Sequence, residues 1–265
     1  MSQKGYLEIV LDIFLKNLAI AIPNVIIFGL TSIIVFVAYI LGYLSMLGAS
    51  FMISSIRGLS IPQVNIEKFL SKISLMNVTL ILMILGLIAI IALVMIIAYA
   101  IAKGMMADMS LDAVTKGYTN LSKSFRVAKD NLVKLVLIDL AEFSIIVLSL
   151  LPTLVLLFIY PPLAILSILF TAIVSIATGF LFLASPIYAI MGFGVVDSLK
   201  ESANAMMESF SLRIEVIIGI IVAFVVSWIV SVLGVLTIPF IYVLLAYYIV
   251  YDLKKLPSPK EGVLI

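Results

Sequence analysis

The chain has 265 residues, 65% of them apolar and 11% charged, with a formal net charge of +2 and neither histidine nor cysteine. A soluble domain is roughly half apolar and about a quarter charged, and no soluble fold of this length hides so much apolar surface, so the composition implies one membrane domain. The missing residue types exclude disulfides, zinc sites of the usual kind, histidine-ligated haem, thiol nucleophiles and a serine–histidine triad, and the small charge without a dense basic run excludes nucleic acid as a partner.

The chain opens on an amphipathic segment rather than a cleaved signal, because Glu8, Asp12, Lys16 and Asn17 interrupt the apolar run that a signal needs. Leu7, Leu11, Phe14 and Leu18 advance by four, three and four residues, the stripe of an α-helix. A bilayer core of about 30 Å takes about 20 helical residues, and the first span is predicted over 18–47. An outer loop follows over 48–75, punctuated by Gly58, Ser60 and Pro62. Ile66, Phe69, Leu70 and Ile73, set around Glu67, Lys68 and Lys72, predict a short helix on the outer surface or a docking site for a partner.

The second span is predicted over 76–102 and a polar loop over 103–134, with an amphipathic helix through Leu121, Phe125, Ala128 and Leu132. Spans three and four, 135–160 and 163–192, meet at Pro161-Pro162, where a proline costs little at a helix start. A third amphipathic helix runs through Leu199, Ala203, Met206 and Phe210. Residues 216–251 are unbroken in apolar character and as one helix would reach about 54 Å. Gly234 and Pro239 therefore predict a tight hairpin between spans 214–234 and 237–252. Tyr247, Tyr248 and Tyr251, just before Lys254 and Lys255, read as an interfacial belt.

Six spans put 13 basic residues on the side of the two termini and only Arg57, Lys68 and Lys72 on the other. By the positive-inside rule this predicts a multi-pass protein of the cytoplasmic membrane with both ends cytoplasmic. The expected fold is all-α: three membrane hairpins, each preceded by an amphipathic interfacial helix. Aligning Leu7, Leu121 and Leu199 gives offsets of 114 and 78, so the single domain reads as three parallel units, 1–110, 111–194 and 195–265, with 48–75 inserted in the first. The three helices either lie in the headgroup plane or pack together as a cytoplasmic cap.

Asp139 and Glu142, three apart on one helical face, are the candidate polar site. Acids within hydrocarbon often mark ion paths, and Glu142 lies about 15 Å beyond Leu132 by helical rise. The 18 uncharged residues of 143–160 nearly span unaided, so an interfacial position and an internal structural hydrogen bond stand as alternatives. Lys116, Lys123, Arg126, Lys129 and Lys134 are candidate membrane-surface basic residues. Thr31, Ser32, Ser149, Thr153, Ser167, Thr171, Ser175 and Thr178 suit helix–helix or own-turn hydrogen bonds. Met105, Met106, Met109, Met206 and Met207 suit packing, and Gly192 and Gly194 lack the context of a phosphate loop.

Ser185-Pro186-x-Tyr188, Ser198, Ser202, Pro239, Ala246-Tyr247-Tyr248 and Tyr251-Asp252-Leu253-Lys254 carry a family resemblance. Over Gly194 to Asp252 the chain resembles a group of six-span prokaryotic membrane proteins, with an archaeal branch as the expected place of this one. The group includes the membrane domain attached to some glycerophosphodiester phosphodiesterases. The resemblance implies a membrane module without a known reaction; the soluble phosphodiesterase part is absent, and no catalytic residue carries over.

The expected role is a non-enzymatic module: an accessory subunit, scaffold or bilayer organiser. It needs no cofactor or metal, and its partners are the lipid bilayer and a membrane protein or a second copy of the chain. The alternative is a small-solute or ion transporter or channel using Asp139 and Glu142.

Overall fold

The computed structural model describes residues 5–58, 66–230 and 233–255, and all regular structure in them is helical. Helix α1 covers Tyr6–Lys16 and α2 Ile22–Gly58, joined by a tight helical turn at Leu18–Ala21. Then come α3 Ile66–Lys116, α4 Leu121–Asp130, α5 Leu132–Ile159, α6 Pro161–Leu181 and α7 Ser185–Ile190. The chain continues through α8 Val195–Leu212, α9 Ile214–Ile229 and α10 Gly234–Tyr247, which ends in a widened turn at Tyr248–Asp252. Residues 27–96 form one compact unit, and 1–26 with 97–265 form the other.

Among the described residues, five segments are long and apolar enough to cross a membrane: Leu18–Ile40, Gly86–Lys116, Leu132–Ile159, Ile165–Ile190 and Gly234–Asp252. A sixth exists only if α8 and α9, bent by 108° at their junction, make one broken span. These helices turn bare apolar side chains outward, such as Phe158 and Trp228, 92% and 89% exposed. Lipid covers such a surface where water would not.

The sequence boundaries shift at several places, and the fourth predicted span, 163–192, is broken into α6 and α7. The first half of the predicted outer loop is helical to Gly58, and its short surface helix is the start of the unbroken α3; Ser60 and Pro62 lie outside the described residues. The loop predicted from 103 is also helix, because no proline stands between Lys103 and Gly117 and the lone Gly104 is tolerated within it; Gly117, with a φ of 79°, then stops α3. Pro239 does not break the last hairpin but sits inside α10. A proline there removes the N–H that would bond the carbonyl four residues back. That carbonyl, of Val235, instead accepts the Asn24 amide nitrogen at 2.7 Å.

In the larger unit the core is built from α1, the 100–114 stretch of α3, the first turns of α5 and α9, α7, α8 and the second half of α10. Helix α7 is wholly buried, and its Tyr188 shares the core with Tyr242 and Tyr248, all three with almost no exposed surface. By contrast α5 beyond Phe143 and the first half of α6 are mostly exposed, so the core sits at the end where α1, α4 and α8 join the long helices. The α5–α6 hairpin is held outside the core by small polar residues: Thr153 bonds Ser167 at 2.8 Å, and Thr171 donates to the Ser149 carbonyl at 2.8 Å.

Each amphipathic helix has one buried face and a separate exposed face that carries bulky apolar residues, rather than a single apolar stripe. Helix α1 buries Val10 and Phe14 but exposes Leu11 and Leu15, and Leu18 at the start of the following turn is exposed as well. Helix α4 buries Ser124 and Ala128 and exposes Leu121 and Phe125; α8 buries Ser198, Ser202, Ala205, Met206 and Ser209 and exposes Val196, Met207 and Phe210. Of the predicted stripes, only Phe14, Ala128 and Met206 are fully buried. Serine and alanine line the inner faces of α4 and α8 because small side chains let helices approach closely.

Candidate functional site: a charged cluster beside an apolar cavity

Asp139 and Glu142 project from neighbouring positions of α5 toward α3, where they meet Lys103. The Lys103 ammonium lies 2.6 Å from Asp139 Oδ1 and 3.8 Å from Glu142 Oε2. It also stands 4.7 Å from the centre of the Tyr99 ring, one turn earlier on α3. All three charged side chains are less than a fifth exposed. Ser185, the first residue of α7, donates from Oγ to Glu142 Oε1 at 3.2 Å. Asp139 Oδ2 is buried without a hydrogen-bond partner. Among the described residues one cation thus faces two carboxylates, and the cluster has acceptor capacity left over.

A helix break adjoins it. Between α6 and α7 the chain turns at Phe182–Ala184, which frees backbone groups that a continuous helix would pair. Ser202 of α8 fills both roles: its hydroxyl donates to the Leu181 carbonyl at 2.7 Å and accepts from the Ala184 amide at 3.1 Å. Ser185 shares its one hydroxyl proton between the Phe182 carbonyl, at 2.7 Å, and the more distant Glu142 Oε1. A cavity of about 570 Å³ opens between α3, α5, α6, α9 and α10, with Lys103, Glu142, Tyr99 and Tyr242 among its polar lining and Ile176, Phe180, Leu183, Ile220 and Phe224 among its apolar lining.

A second cluster ties α4 to α3. Lys123 Nζ lies 2.5 Å from Asp112 Oδ2 and 3.4 Å from Asp108 Oδ2, while Ser124 donates to Asp108 at 2.7 Å and Lys116 pairs with Asp112 at 2.7 Å. Burial works against the charge on Lys123, but the hydrogen bond to Asp112 and the two carboxylate charges outweigh it and hold its pKa above the ordinary lysine value. The Asn120 side chain caps α4 by accepting from the Lys123 amide at 3.0 Å. Arg126 and Lys129 are exposed and Lys134 is half-buried. Of the five candidate surface lysines and arginines, Lys116 and Lys123 therefore point at acids of α3.

Sequence reasoning singled out Asp139 and Glu142 but placed Lys103 in a loop and passed over Asp108, Asp112 and Ser185 as site residues. The signal for the first three was present: Asp108, Asp112 and Lys116 recur every four residues, a helical spacing that extends the second span past 102. Comparison with protein-family models, curated proteins and solved structures finds no match to the chain.

Proposed function

We propose that the chain is a six-span protein of the cytoplasmic membrane, both ends cytoplasmic, acting as a non-enzymatic module: an accessory subunit, scaffold or bilayer organiser. The observation that carries this reading is the double-faced character of α1, α4 and α8. Each buries one side against the ends of the long helices and turns bulky apolar residues outward. A helix of that kind settles where headgroups meet acyl chains, and three of them make a broad surface for lipid or for another membrane protein.

Three parallel units belong to the same proposal. The offsets of 114 and 78 bring together Val10, Ser124 and Ser202, then Phe14, Ala128 and Met206, then Asn17, Asn131 and Ser209, and all nine are buried. Asn17 and Asn131 both bond the carbonyl four residues back, at 3.0 and 2.9 Å. Residues in left-handed conformation, Gly117, Gly192 and Lys254, follow α3, α7 and the widened turn after α10. Extraction from native membranes into detergent-free nanodiscs tests the module reading. A second protein or a second copy is expected in fixed ratio, and a lone chain in every extraction sinks it.

The second reading, a small-solute or ion transporter using Asp139 and Glu142, is favoured by the helix break and cavity beside Glu142, since transporter sites form where helices are discontinuous. Replacing both acids, Asp139→Asn with Glu142→Gln, should abolish proton-driven flux in reconstituted vesicles. Unchanged flux removes the pair from any mechanism.

A further inference from the structure

We propose that the cavity between α3, α5, α6, α9 and α10 holds a single-chain amphiphile from the bilayer, with an amine head on Glu142 and its tail along α6 and α9. The volume of about 570 Å³ lies within the range of about 300–1,000 Å³ typical of small-molecule sites. Its charged lining is the pair Lys103 and Glu142, 3.8 Å apart, and most of the remaining lining is apolar, a small charged spot in an oily cavity such as an amphiphile needs. Lining residues Ile176, Ile221 and Phe224 are also exposed on the outer apolar surface, 74%, 54% and 49%. The cavity therefore opens sideways, onto the surface that acyl chains cover, and a molecule already in the bilayer reaches it without crossing water.

The head is an amine because of the charge count. Glu142 lines the cavity, and the single Lys103 ammonium sits nearer Asp139 than Glu142, at 2.6 against 3.8 Å. A second cation on Glu142 balances the cluster, whereas an anionic head would add a third negative group beside two carboxylates. The Tyr99 and Tyr242 rings line the same cavity and can flank an ammonium group. The inference holds whether the protein is a scaffold or a transporter, because it concerns occupancy and not flux.

The test uses the full chain in nanodiscs and dodecylamine carrying a photoreactive group at its tail. Crosslinks are expected on Phe180, Ile221 or Phe224, suppressed by excess dodecylamine but not by dodecanoic acid. Glu142→Gln, which keeps the side-chain shape, should lower labelling at least tenfold. Gly179 also lines the cavity and a Cβ there meets nothing within 4 Å, so Gly179→Trp should enter the space and remove the labelling. Labelling that survives Glu142→Gln, that dodecanoic acid suppresses equally, or that spreads along the outer face of α5 overturns the proposal.

Discussion

Lys103, Asp139 and Glu142 are three ionisable groups withdrawn from water on two helices, and the energy of each depends on the others. Breaking a buried pair by removing one partner costs about 3–5 kcal/mol, because an uncompensated charge is left behind, whereas replacing all the charges together is often close to neutral. Lys103→Met should therefore destabilise the protein by about 3 kcal/mol in denaturant unfolding in detergent. Adding Asp139→Asn and Glu142→Gln to that variant should recover most of the loss. If the single and triple variants lose the same amount, ion pairing is not what joins α3 to α5. The acids were legible in sequence since they lie three apart in an oily run. Their cation was not, because 36 residues separate Lys103 from Asp139 and only the folded hairpin brings them together.

At the scale of elements, the helices end and break where side chains from elsewhere make it tolerable. Asn120 opens α4, Asn24 takes the carbonyl that Pro239 leaves free, and Ser202 bridges the gap between α6 and α7. The first is a local signal, visible three residues ahead of the amide it caps. The other two act across 211 and 21 residues, which is why Pro239 read as a breaker and the α6–α7 break went unseen. Close approach shows the same contrast. A Cβ added at Gly104 would meet Leu135 Cδ1 at 2.6 Å and Ala128 Cβ and Cα at 3.0 and 3.3 Å. One added at Gly219 would meet only Leu244 Cδ2 and Leu7 Cδ2 under 3.4 Å, at 2.8 and 3.0 Å. Leucine ends swing aside, but the α4 backbone is pinned to α3 by Lys123 and Ser124. Gly104→Ala should therefore cost about 1–3 kcal/mol and Gly219→Ala distinctly less. The comparison is again read from unfolding midpoints, and a Gly104→Ala protein as stable as the parent would show that α4 is free to move.

For the whole molecule, the number of spans turns on whether α9 crosses the membrane. Its 16 residues reach about 24 Å, short of a hydrocarbon core of about 30 Å. Yet Trp228 near its end is 89% exposed and no charge interrupts it after Glu215, so thinning of the bilayer or tilt of its neighbours has only a few ångströms to supply. The chain lacks cysteine, and single cysteines at Arg57, Lys129, Lys200 and Lys254 therefore report topology without a background. In intact cells a membrane-impermeant maleimide should label Arg57→Cys alone, and the other three only after permeabilisation. Lys129→Cys and Lys200→Cys flank α5 to α7, so finding them on opposite faces would abolish that hairpin. Lys254→Cys decides the count. With α9 and α10 both crossing, it shares a face with Lys200→Cys; with α9 lying along the surface, it appears beside Arg57→Cys and the protein has five spans. All four patterns inverted would leave the hairpins standing and reverse only the orientation inferred from the basic residues.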